Sequence, residues 1–359
     1  MPKLSPGKLP PQELARLVFP HLGSQRPEVL VGAALGEDAA VLDLGDSLLV
    51  LSTDPITGAS QEIGWLAVHI ACNDLAAADA EPVGLLLTWL IPPHMAAEEL
   101  AMMMSDADRA ARSLGAAILG GHSEVTPYLP QLVVVATAVG KTPRGRLIRT
   151  GGAQLGDALY LSKALALEGT AILARELAEE LRPVLGEELL AHAATFLEEI
   201  SVVPEGLLAA SLGAHAMHDV TEGGLLGGAW EMMKASACGL RVEEESLPIR
   251  PETALLCRAL ELDPLALVSS GAMLIAAPPG LLEEPFAQRG LPLTRIGSFH
   301  PKRTLLFVKG GVEQERVFDG REELWRALAR HANSPRQHDS PRQRVPRIMG
   351  EIPMGKERR

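Results

Sequence analysis

The sequence predicts an α/β (α+β) fold built from two successive units, and three observations carry that reading. Short apolar runs alternate with stretches of helical periodicity from about residue 39 to 140. The same alternation resumes over 158–308, after a basic connector at Lys141–Arg149 that carries Pro143 and Gly145. Apolar residues make up 47% of 359 residues, enough for a sizeable core.

The elements follow in order. Two apolar runs in 39–54 flank Gly45-Asp46, which predicts paired strands and a tight turn. From Glu62 to Ala80 the pattern turns helical, with Ile63, Leu66, Ala67, Ile70 and Ala71 on one face. Pro82 ends that helix, and 83–90 reads as a buried strand. A second helix over 96–114 closes at Gly115, and strands follow at 116–119 and 132–139. In the second unit, strands are expected at 158–162, 214–218, 240–243, 273–277, 293–298 and 304–308. Helices are expected at 170–181, 187–200, 205–212, 225–237 and 253–260.

Composition excludes several classes. Aromatics reach only 3%, too few for a base-stacking platform. A formal net charge of −12 argues against nucleic acid and anionic membrane as partners, although a metal ion can invert the sign locally. Cys72, Cys238 and Cys257 lie far apart and suggest neither a disulfide framework nor a zinc site. The N-terminus lacks the apolar stretch of a signal peptide, and no window approaches the roughly 18 apolar residues of a membrane span. The expectation is a cytoplasmic protein.

Four polar clusters stand at the ends of apolar runs, where α/β proteins place ligands. They are Gly36-Glu37-Asp38, Ser52-Thr53-Asp54, Asn73-Asp74 inside the first helix, and Gly120-Gly121-His122-Ser123-Glu124 directly after a strand. Asp74 sits among Ala71, Cys72, Leu75 and Ala76, where a carboxylate needs a cation or several donors. With Asp38 and Asp54 it forms a hard oxygen set suited to Mg²⁺, and Gly120-Gly121 lets backbone approach a phosphate. The same residues also read as separate caps and turns. In the second unit, His215-Ala-Met-His218-Asp219-Val220-Thr221-Glu222-Gly223-Gly224 places paired glycines before a helix, which suits a metal–phosphate contact; Asp219 as a plain N-cap is the alternative. The i,i+3 spacing of His215 and His218 is poor for a metal pair on a strand.

Taken in order, Asp38, Ser52-Thr53-Asp54, Asn73-Asp74, Gly120-Gly121 and Asp219-x-Thr221-x-Gly223-Gly224 resemble the motifs of one superfamily. Its members include aminoimidazole ribonucleotide (AIR) synthetase, thiamine monophosphate kinase, selenophosphate synthetase and the hydrogenase-maturation protein HypE. The resemblance runs from about Gly36 to Val308 and leans towards HypE through Leu247-Pro248-Ile249, Leu262-Asp263-Pro264-Leu265 and Val345-Pro346-Arg347-Ile348. It implies a two-domain PurM-like fold, in which the N-terminal domain of a homodimer closes an intersubunit strand barrel. The implied division is an arm and helix (1–35), an ATP-binding domain (36–145), a second domain (146–315) and a C-terminal helix with a Pro/Arg-rich tail (316–359). It also implies ATP and Mg²⁺ as cofactors. Asp38, Asp54 and Asp74 would hold the metal, and Ser52, Thr53, Asn73, Gly120, Gly121 and His122 the nucleotide. Asp219, Thr221 and Glu222 would face the γ-phosphate and a small-molecule acceptor.

The departures are equally specific. Met349 stands where HypE ends in its modified cysteine, and a thioether cannot accept a carbamoyl group. Glu124 and Ser270 replace the lysine and glutamate assigned to dehydration, and Glu222 replaces an arginine. The resemblance therefore implies ATP-dependent activation of an oxygen on some acceptor rather than cyanate formation. The rival reading is a non-catalytic nucleotide-binding accessory protein in a hydrogenase or other metalloenzyme maturation complex. A further expectation places the tail, with Arg344 and Arg347, against the nucleotide cleft.

Overall fold

The computed structural model describes residues 9, 11–57, 59 and 61–332. The expectations for the tail, with Arg344, Arg347 and Met349, lie outside the described residues.

The first unit runs α1 (Pro11–Leu17), β1 (Val29–Val31), β2 (Ala40–Asp43), β3 (Ser47–Ile56), α2 (Ile63–Ala77), β4 (Glu81–Ile91), α3 (Ala97–Ser113), β5 (Ala117–Val125) and β6 (Val133–Pro143). Its six strands form one sheet in the order β1-β2-β3-β6-β4-β5. Only the β4–β5 pair is parallel, because α3 crosses over between them. The β2–β3 hairpin turns at Gly45-Asp46 as the sequence predicts, with Ala40 opposite Leu51.

The second unit continues with β7 (Ala158–Ser162), α4 (Leu167–Glu176), α5 (Ala178–Leu185), α6 (Glu187–Ala194), α7 (Val203–Leu212), β8 (Ala216–Val220), α8 (Gly224–Ser236), β9 (Gly239–Glu243) and α9 (Pro251–Leu260). It ends with β10 (Ala272–Ala277), α10 (Glu283–Gln288), β11 (Leu293–His300), β12 (Leu305–Lys309), β13 (Val312–Glu315) and α11 (Glu323–Ala332). Seven strands form the second sheet, ordered β13-β12-β9-β11-β7-β10-β8. Strands β7, β8 and β10 are buried at every residue; β10 and most of β7 read as apolar runs, whereas β8 carries His218 and Asp219 into the interior.

Helix α2 is the joint of the molecule. Of its 15 residues only Trp65 escapes full burial. One face packs on β3 and β6, another on α3, and a third on α7 and β8 of the second unit. The sequence pattern assigned it one apolar face; burial on all sides is the observed result, and it explains the apolar residues on every side of the helix. One continuous core runs through it, with members from Val31 to Ala327.

Three local expectations change. The helix expected at 170–181 is two helices, α4 and α5, separated at Leu177. The one expected at 187–200 passes into a 3₁₀ turn at Thr195–Glu199. The short elements β1, β13 and α10 escape periodicity because none exceeds six residues.

Candidate active-site cleft

The cleft lies where the β2–β3 hairpin, α2 and the β8–α8 loop meet, and it encloses about 800 Å³. Alternation along β3 turns Ser52 and Asp54 towards α2, while Thr53, on the opposite face of the strand but still at the cleft, shares a 2.9 Å hydroxyl contact with Thr137 on β6. Ser52 donates its hydroxyl to Asp74 in the middle of α2 and lies 3.4 Å from Asp54. From the other side, β8 delivers His218 and Asp219, both almost completely buried.

His218 connects the halves. Its Nδ1 lies 2.7 Å from Asp38 and its Nε2 2.9 Å from Glu231 of α8. Burial alone would lower its pKa, but the charges and hydrogen bonds of Asp38 and Glu231 prevail and hold it well above the ordinary histidine value. Paired with a carboxylate at each nitrogen, His218 favours the protonated form that donates to both. His215 pairs separately with Asp157 at 2.9 Å.

The acidic residues face a shortage of positive charge. Asp74 is pushed well above the usual carboxylate range, first by burial and then by the charges of Asp54, Asp219 and Asp38. Asp219 rises to about 7 through burial and Asp38, with His218 opposing. One buried oxygen of Asp219, Oδ2, has no hydrogen-bond partner. Glu37, Asp38, Asp54 and Asp74 line the cleft from the first unit, and Glu168, Asp219, Glu222 and Glu322 from the second. Among the described residues lining it there is no lysine or arginine.

The expected single cluster of Asp38, Asp54 and Asp74 takes a different form. Among the described residues, the one set of three ligand atoms within 4.8 Å of one another belongs to Asp38, His218 and Asp219. Asp54 and Asp74 are joined instead through Ser52. All three aspartates line the cleft, but Asp38 is drawn towards His218.

Thr221 and Glu222 reach the cleft from the loop between β8 and α8. Gly224 opens α8 at φ +58°, and a Cβ there would meet the carbonyls of Leu265 and Leu267 at 2.7 Å. That contact presses the loop against 265–270. Glu322, just before α11, clasps the same region by accepting backbone N–H groups from Gly223, Val268 (3.1 Å) and Leu324 (2.8 Å). Leu324 and Trp325 complete this wall.

Four of the residues expected at the nucleotide, Asn73, Gly120, Gly121 and His122, do not line the cleft of the single chain. Asn73 donates to the Ile200 carbonyl at 2.9 Å and accepts from the Val202 N–H at 2.8 Å, so its amide pins the approach to α7. Gly120, Gly121 and His122 lie within β5 rather than in a loop after it, and they do not line the cleft. The strand runs on through them because Gly121, at φ +142°, closes against β4, where a Cβ would stand 1.8 Å from the Leu87 carbonyl. His122 reaches only Glu124, at 3.3 Å, and both are exposed.

Glu168 and Glu322 were not singled out by the sequence. Each is an acidic residue at the start of a helix, the commonest place for one to be exposed and ordinary. Burial alone distinguishes them.

The family model described as "AIR synthase related protein, N-terminal domain" matches residues 36–142, and its C-terminal counterpart matches 154–305. Carbamoyl dehydratase HypE of Rhodobacter capsulatus is 29% identical over 269 residues, covering 74% of this chain and 76% of its own. Thiamine-monophosphate kinase of Methanospirillum hungatei is 28% identical over 302 residues, 80% of this chain and 91% of its own. The crystal structure of hydrogenase maturation protein HypE in complex with ATP superposes with a TM-score of 0.65 at 23% identity, over 90% of this chain and 98% of that one. With both domain models matched in order and the two-sheet PurM-like fold in place, the chain belongs to the AIR synthase related protein family.

Proposed function

We propose that this chain binds Mg²⁺–ATP in the cleft and uses it to phosphorylate, and so activate, an oxygen of a small acceptor. The observation that carries this reading is the charge of the cleft: eight carboxylates line it and no described lysine or arginine does. A polyphosphate enters such a site only with divalent cations. The donor set fits Mg²⁺, being hard oxygens from Asp38, Asp54, Asp74 and Asp219, with Ser52 and Thr53 beside them. Bound there, Mg²⁺ supplies neutralisation of phosphate charge. The chain's own part is positioning. Asp219, Thr221 and Glu222 bring the second unit against the acceptor end, and His218 holds Asp38 in place.

The relatives' names support the two halves of this reading, one being a kinase and one a protein seen with ATP. Homodimerisation completes it. Strand β5 is an open edge, and Leu86, Ile118, Leu119 and Val125 are exposed on and beside it. An edge of this kind is an invitation to strand pairing with a second copy. That pairing would bring Gly120, Gly121 and His122 of one subunit towards the cleft of the other.

Ser270 favours a second reading. It carries no carboxyl where HypE-like chains place a glutamate, which suits a nucleotide-binding accessory protein of metalloenzyme maturation. Thermal unfolding and ADP release separate the possibilities. Mg²⁺–ATP should stabilise the protein by about 2–4 kcal/mol at 100 to 1,000 times Kd, and Asp74→Asn should remove that stabilisation. Stabilisation without ADP release on any acceptor panel favours the accessory protein. An unchanged shift in Asp74→Asn refutes the assigned site.

A further inference from the structure

The acceptor end of the cleft has a chemistry of its own. Helix α4 begins at Leu167 after Ala166, which is held in the left-handed region at φ 57° with its N–H bonded to the Ser269 hydroxyl at 2.6 Å. That turn carries Glu168 inward. It is 7% exposed, lines the cleft beside Ser270 and bonds to it, and its Oε2 has no hydrogen-bond partner. Glu222 and Glu322 stand on the same wall, close enough for their charges to act on Glu168. Ile172, Val268, Leu324 and Trp325 add apolar lining to the cleft.

We propose that Glu168, Ser270 and Glu222 form an acceptor subsite that selects a small molecule bearing a protonated amine. This rests on the reading of the cleft as a phosphoryl-transfer site and names its acceptor class. An arriving ammonium gives the unpartnered Oε2 of Glu168 a donor and its buried carboxyl the counter-charge it lacks, whereas a carboxylate or phosphate ester meets only further acidic groups, Glu222 and Glu322, and no described basic residue. A bare metal ion suits the wall less well, because Glu168, Glu222 and Glu322 do not bring three ligand atoms within 4.8 Å of one another. An ammonium group on an apolar stem fits both the spacing and the Ile172–Val268–Trp325 lining.

The test measures binding of n-butylammonium, n-butanol and butyrate to the full chain by ligand-observed NMR, with and without Mg²⁺ and a non-hydrolysable ATP analogue. The amine should bind at least about tenfold more tightly than butyrate. Glu168→Gln should lose most of that preference while keeping its affinity for the ATP analogue. Glu222→Gln, at an exposed position, should weaken it too, without risk to the fold. Equal binding of the three probes, or an undiminished preference in both variants, overturns the subsite. Amine preference in a protein that fails to bind the ATP analogue leaves the subsite standing and removes the nucleotide reading instead.

Discussion

Asp38 and His218 lie 180 residues apart in sequence and 2.7 Å apart in space. Their contact joins the loop before β2 to strand β8, so the two halves meet through an ion pair at the wall of the cleft. Glu231 holds the far side of the same imidazole.

Removing that cation should be costly. His218→Gln leaves Asp38, Asp219 and Glu231 without their shared counter-charge, and a broken buried pair typically costs about 3–5 kcal/mol. Urea denaturation of the unliganded protein reads the loss. A change below about 1 kcal/mol would mean that solvent already screens the pair.

Asp74 should behave in the opposite way. Burial and three neighbouring aspartates disfavour its charge, so Asp74→Asn should raise unliganded stability by about 1 kcal/mol at neutral pH. The Asn side chain still offers Ser52 an acceptor. The variant thus gains stability where it loses Mg²⁺–ATP binding, and calorimetry on both states checks the two signs together.

The pH dependence follows from Glu168, raised to about 8 chiefly by burial, with Ser270 opposing and Glu222 and Glu322 adding to it. Between its ordinary value of 4.5 and about 8 the folded state binds more protons than the unfolded one. Stability from this group is therefore full below the lower value and falls as pH rises through the window, by on the order of 5 kcal/mol in total. Glu322, raised to about 7 mainly by burial, adds to the same slope. Glu168→Gln should flatten the decline between pH 5 and pH 8 (about one proton's worth of slope). An identical slope in the variant would show that Glu168 is ionised in the folded protein.

Leu119→Lys should yield a monomer. It places a charge on the exposed β5 edge, where Leu119 is 53% exposed in a single chain. Sedimentation should report half the wild-type mass, and Mg²⁺–ATP affinity should fall with it if the edge strand of one copy completes the cleft of the other. A monomeric wild-type protein would refute the proposed pairing.

Much of this architecture was legible in the residues themselves. The Gly45-Asp46 turn, the helix over 62–80 and the strands around it follow from periodicity and punctuation alone. Asp74 stood out because, apart from Asn73, its neighbours Ala71, Cys72, Leu75 and Ala76 are apolar, and its burial is what makes it notable in space. Gly120–Glu124 misled for a physical reason: paired glycines signal a loop, yet here they let β5 press against β4. Asn73, read from the sequence as a nucleotide contact, makes two bonds to the chain before α7 that no sequence pattern announces. Glu168 and Glu322 were invisible because a carboxylate in a first helical turn is normally at the surface, and only the docking of α4 and α11 onto the 265–271 segment buries them.

Trp325, half-buried on the cleft wall one turn from Glu322, has a spectroscopic consequence. The chain contains four tryptophans. Trp89 is sealed in the first sheet, Trp65 lies under Arg109 at 4.3 Å, and Trp230 lies near Lys234 at 5.5 Å. The emission most exposed to events in the cleft therefore comes from a single indole. Occupancy of the acceptor end is readable as a change in intrinsic fluorescence, without a dye, a label or a coupled assay, and a Trp325→Phe chain supplies the blank.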